Sequence, residues 1–102
     1  MSQDSKFALP CEAIAKARCL ELTYDGHDRV VEVHVAGHTR EGELLMRVWQ
    51  VRGGSVSGEP VGWKMFDLNR VSAVRLSRER SQAPHAGYEP DDPVIKRIVC
   101  QV

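Results

Sequence analysis

The chain has 102 residues, enough for one domain with one ordinary core. Apolar residues make 42% and charged residues 27%, a globular balance that excludes intrinsic disorder. Fourteen basic and fourteen acidic side chains cancel, so no molecule-wide basic field draws in nucleic acid and only a local patch is left for an anionic partner.

The cysteines are Cys11, Cys19 and Cys100. An odd count without tight spacing argues against a disulfide scaffold. Met1-Ser-Gln-Asp-Ser is polar, with no apolar core behind it, so no secretory signal is expected. No run approaches the roughly 20 apolar residues of a membrane helix. The expectation is a cytoplasmic protein with no membrane partner. A single domain is expected over 1–102, with a flexible lead at 1–7, a helix and barrel core at 8–78, and a loop and C-terminal element at 79–102.

Pro10 suits a first helical turn, where its missing N–H would be unpaired anyway. Leu9, Ala13, Ile14, Ala17 and Leu20 recur at helical spacing, predicting a short helix over 10–18. Leu20, Leu22 and Tyr24 alternate with polar neighbours, which predicts a half-buried strand. Asp25-Gly26-His27-Asp28 is a hairpin turn of two residues or more. Arg29 opens a long second strand, with Val31, Val33 and Val35 on one face and Glu32, His34 and Ala36 on the other. Arg40-Glu41-Gly42 marks the next turn.

Leu44–Val51 is an almost continuous apolar strand, as expected where both faces are covered. A Gly/Ser loop follows at 53–59, then strands over 61–68 and 71–76, turned at Asn69 and Arg70. The stretch 81–90 is a loop by its Pro, Gly and Ser. Beyond it, Asp91 and Pro93 suit the start of a short helix, while the β-branched residues of 97–102 suit a final strand. The expected fold is mainly β, a small barrel of about five strands with an N-terminal helix and a C-terminal tail.

The order of these elements, with Ile14-Ala15, Leu22-Thr23-Tyr24, Arg29-Val30-Val31-Glu32 and Phe66-Asp67-Leu68-Asn69-Arg70-Val71, resembles the core of the WYL domain family. Short stand-alone bacterial and phage-associated proteins are similar at His34-x-x-Gly37, at the Gln50 to Gly58 loop, at Gly62-Trp63-Lys64-x-Phe66 and at Gly87-Tyr88-x-Pro90. The resemblance implies an Sm-like or SH3-like barrel. It also implies a ligand-sensing module for nucleotides or single-stranded nucleic acid. The aromatic triplet that names the family is absent, its strand reading Glu43-Leu-Leu-Met-Arg47, and the residues ahead of the domain give no expectation of a helix-turn-helix.

His34 and His38 lie four apart on a strand, about 13 Å at 3.3 Å per residue, so they cannot share a metal. Gly54-Ser-Val-Ser-Gly58 joins two strands and lacks the strand-to-helix elbow of a serine hydrolase. Neither a cofactor nor catalysis is expected. The leading expectation is a non-enzymatic binding module for an anionic ligand, nucleotide-like or single-stranded nucleic acid. Its candidate residues are Arg29, His34, Gln50, Ser55, Ser57, Trp63, Lys64 and Arg70. Cations would pair with phosphate, loop hydroxyls would position it, and Trp63 would stack a base. For Trp49 and Trp63, core packing is the competing role, and strand alternation does not separate the two. The alternative function is a protein-interaction or structural module, a homodimer formed through edge strands.

Overall fold

The computed structural model describes residues 3–102. A 3-10 turn over Gln3–Phe7 leads into helix α1, Ala8–Lys16. Six strands follow: β1 Arg18–Tyr24, β2 His27–His38, β3 Leu44–Gly53, β4 Gly62–Asp67, β5 Ser72–Arg80 and β6 Arg97–Gln101. A 3-10 turn, Leu68–Arg70, joins β4 to β5. The protein is therefore mainly β, as its alternation predicts, with one strand more than expected.

All strand pairs are antiparallel. The sheet runs β4-β3-β2-β1-β5, and β6 pairs with the C-terminal half of β2. No ladder joins β4 to β5, so the hydrogen-bonded sheet is open along that seam. The lead is more ordered than the sequence suggests, because Phe7 is buried in the core and meets His38 edge-on at 5.1 Å. Residues 1–2 of the expected lead lie outside the described residues. The helix starts and stops earlier than its apolar spacing implies. Ala17 is left-handed (φ 54°), and its N–H caps the carbonyls of Ala13 and Ile14.

The β1–β2 connection is the two-residue Asp25-Gly26 turn, with Tyr24 opposite His27. Both turn residues have positive φ, 50° and 76°, the requirement of a hairpin turn that follows strand twist. One face of the sheet buries the core: Leu20, Leu22, Val31, Val33, Ala36, Met46, Val48 and Phe66, closed by Phe7 and Ala13. Tyr24 stacks on Phe66 at 4.2 Å, and its hydroxyl accepts the Asp67 N–H at 3.1 Å.

The expected alternation along β2 fails at one place. Val33 pairs with Val48 and Val35 with Arg47, so His34 is an extra, bulged residue. The bulge moves Val35 out of the core cluster and brings Ala36 in. Residues Val31 to Thr39 are all buried, whichever way they face. The second cover is the segment 81–96, which crosses the outer face of β2, β3 and β4. β3 alternates between buried and half-buried residues, so this cover is partial there.

After that crossing the chain forms β6, not the helix that Asp91 and Pro93 allowed. β6 lies so close to β2 that a Cβ on Gly37 would overlap the Arg97 carbonyl and sit 2.7 Å from Ile95. Cys11 of α1 and Cys100 of β6 are joined by a disulfide across 89 residues. This corrects the expectation drawn from cysteine spacing: the partners are far apart in sequence, and only the return of β6 beside α1 brings them together. Cys19 is free and buried, and burial, with Glu79 and Glu32, pushes its thiol up to about 11. No helix among the described residues is long and apolar enough to cross a membrane.

Candidate functional site

The structure sorts the candidate residues into four places. Ser55, Ser57 and Lys64 come together. Lys64 is on β4, two residues before Phe66 on the same face, and the serines are on the β3–β4 loop. The Lys64 ammonium donates to Ser55 Oγ at 3.1 Å and to Ser57 Oγ at 3.2 Å. The two hydroxyls are 2.8 Å apart. Lys64 enters no ion pair among the described residues. An ammonium bonded to two hydroxyls and no carboxylate has used two of its three donors, leaving its charge and one donor for an anion.

Arg29 and Gln50 lie beneath this loop and hold its base. Gln50 is fully buried; its amide donates to the carbonyls of Gly54 at 2.9 Å and Pro60 at 3.0 Å. Its Oε1 accepts from Arg29 Nη1 at 3.3 Å. Arg29 is 4% exposed, and its Nε and Nη2 donate to the Tyr24 carbonyl. Its guanidinium also lies over the Tyr24 and Phe66 rings. The sequence offers Arg29 a pocket or an ion pair with Asp25, Asp28 or Glu32. It enters no ion pair among the described residues, because the Tyr24 carbonyl and Gln50 use its donors from inside, and the cleft it lines is shared with Thr23, Asp28 and Arg52, not with Tyr24 or Lys64. Both residues position the loop.

His34 and Trp63 belong to an aromatic cluster on the outer face. Trp63 precedes Lys64 in an extended strand, so the two side chains leave on opposite faces. A single base stacked on Trp63 beside a phosphate on Lys64 is therefore not assembled as the sequence suggested. Trp63 instead meets His34 at 4.7 Å, Trp49 at 5.3 Å and Tyr88 at 6.4 Å. Trp49 stacks on His85 at 3.6 Å. His34 is fully buried, and both ring nitrogens are used: Nδ1–H donates to the Glu32 carbonyl at 2.9 Å, and Nε2 accepts the His85 N–H at 2.8 Å. This pattern requires the neutral ring. Burial pushes the His34 imidazole below its ordinary range, against the opposing pull of Glu32.

Arg70 stands apart. It pairs with Asp25 and lies 4.9 Å from the Tyr24 ring centroid. Four arginines fall within 70–80: Arg70, Arg75, Arg78 and Arg80. Two of them are paired with acids distant in sequence, Arg70 with Asp25 of the turn before β2 and Arg75 with Glu21 of β1 at 2.7 Å, which sequence proximity cannot reveal.

Sequence reasoning missed Glu32, Arg47, His85, Tyr88 and Asp92. Glu32 is 1% exposed; its Oε2 accepts the Gln82 N–H, while Oε1 has no hydrogen-bond partner and lies 3.8 Å from His85 Nδ1. Arg47 Nε binds Asp92 Oδ2 at 2.9 Å. Burial works to raise the Asp92 carboxyl, but Arg47 and the Val94 N–H hold it below the ordinary carboxylate range. The one available signal was Gly87-Tyr88-x-Pro90, quoted for its pattern alone. No group of three or more metal-ligating side chains occurs among the described residues. Comparison with family models, curated proteins and solved structures gives no match.

Proposed function

We propose that the protein is a non-enzymatic binding module for a phosphate-bearing ligand, a nucleotide or single-stranded nucleic acid, held at Lys64, Ser55 and Ser57. The carrying observation is the Lys64 ammonium, in no ion pair among the described residues, between two hydroxyls on a loop pinned from below by Gln50. A cation meets phosphate as a point charge, and fixed hydroxyls add direction without charge. Preformed geometry lowers the ordering cost of binding. The resemblance to WYL domains supports the same ligand class, and a regulatory or sensing role follows from it by analogy of fold. In this reading Arg29 and Gln50 act through the loop, and Trp63 does not stack the base bound at Lys64.

The test is a titration with inorganic phosphate, a nucleotide panel and short single-stranded DNA and RNA at low and moderate salt, following Trp fluorescence and calorimetry. Saturable binding that weakens with salt and is lost in Lys64→Ala is expected. Retention of full affinity in Lys64→Ala ends this reading. A homodimer is the second reading, favoured by the unpaired β4 edge and by Val56 and Val61, which are 72% and 54% exposed beside it. Concentration-dependent light scattering with no salt-sensitive ligand would select it.

The composition suggests the cytoplasm, but the Cys11–Cys100 bond supports an oxidising compartment instead. Alkylation and mass measurement on protein taken from native cells decides between them.

A further inference from the structure

A pocket lies on the outer face, away from the Lys64 loop. It has a volume of about 320 Å³ and is lined by Trp63, Tyr88, Pro93, Glu89, Asp92 and Arg47. That is at the small end of the ordinary range for small-molecule sites, roughly 300–1,000 Å³. Two aromatic rings and a proline form its walls. Trp63 is braced behind by His34 and Trp49. The Tyr88 hydroxyl is turned to Gln101 Oε1 at 3.1 Å, which leaves the ring as its contribution to the pocket.

The charges at this pocket favour a cation. Arg47 and Asp92 neutralise each other. Glu89 is exposed and enters no ion pair among the described residues. Burial first, and then the carboxylates of Asp92 and Asp91, push the Tyr88 phenol up; with Asp92 offset by Arg47, Asp91 and Glu89 leave the surroundings of the pocket net negative. An anion is repelled here. A bare ammonium would keep its water, because it is compact and strongly hydrated. A cation wrapped in methyl groups sheds water cheaply and meets aromatic faces with its whole surface.

We propose that the pocket walled by the adjoining rings of Trp63 and Tyr88 binds a trimethylammonium group, with Glu89 supplying the counter-charge. The group has two sources, a free quaternary ammonium compound or a trimethylated lysine on a peptide. The site is independent of the Lys64 loop, so either one fails alone.

The experiment uses the full chain and follows the Trp63 indole N–H by NMR. Choline is titrated beside 3,3-dimethylbutan-1-ol, its neutral isostere. Choline should saturate the signal and bind about tenfold more tightly than the alcohol, the separation expected when charge meets desolvated aromatic faces. Glu89→Gln should weaken choline several-fold, Tyr88→Leu about tenfold, and Lys64→Ala not at all. Glu89 is exposed, so its variant tests the idea even where Tyr88→Leu disturbs the fold. A trimethyllysine peptide that outcompetes choline, while its unmodified lysine form does not, assigns the peptide source; equal affinities assign the free compound. Equal binding of choline and the alcohol, an unmoved indole signal, or unchanged affinity in Glu89→Gln overturns the proposal.

Discussion

Gln50 shows how one side chain sets a surface. It is the fully buried amide to which two loop carbonyls and Arg29 are tied. Removing it leaves the buried Arg29 short of an acceptor and two part-buried loop carbonyls short of donors, and each buried unsatisfied group costs about 1–3 kcal/mol. Gln50→Ala is therefore expected to lower stability by about 2–4 kcal/mol, read as a fall in the urea midpoint. It should also weaken anion binding, because Ser55 and Ser57 lose their fixed separation. Lys64→Ala should change stability by no more than about 0.5 kcal/mol. An equal effect of both variants on stability would count against the division between positioning and binding residues. The sequence singled out Ser55, Ser57 and Lys64 because Gly/Ser loops beside cations have a local signature, and the fold brings the three together. It gave no sign that Arg29 and Gln50 lie buried beneath that loop, because burial is set by the whole sheet.

At the scale of elements, the segment 81–96 is latched to β2 by polar groups. Gln82 N–H meets Glu32, and His85 N–H meets His34 Nε2, each behind the stacked ring of His85 on Trp49. His34 accepts only as the neutral ring. Its folded pKa lies below the unfolded value, so the unfolded chain takes the proton first. The stabilisation is complete above about pH 6.5 and is lost as pH falls through the lower folded value. Urea midpoints should therefore drop between pH 7.5 and 5, with faster amide exchange in 81–92. In His34→Gln the pH-dependent part of that drop should shrink. An unchanged slope would remove His34 as its source. The sequence showed β2 as a strand but not the bulge at His34, since a bulge depends on the register of the partner strand. The helix read from Asp91 and Pro93 yielded to β6 because β2 offered a free edge beyond the end of β1.

At the scale of the molecule, strand content, hairpin turns and the N-terminal helix were legible, because alternation, Asp-Gly and helical spacing are local. Chain closure was not. The Cys11–Cys100 bond ties α1 to the last strand and constrains almost the whole chain, across 89 residues. In the chain-entropy account a loop of that size is worth about 4–5 kcal/mol, and measured effects commonly fall nearer 2–4. Reduction, or Cys11→Ser with Cys100→Ser, is expected to lower Tm well beyond the effect of Cys19→Ser. A thermal melt unchanged by reductant would show that α1 and β6 hold by packing alone.

The proposed binding of a phosphate-bearing ligand at the Lys64 loop is best tested by backbone amide NMR during a titration with a nucleotide. Saturable shifts confined to Gly53–Glu59 and the start of β4, abolished in Lys64→Ala, are expected. Shifts centred on the arginines of β5, or none at all in the folded protein, would contradict it.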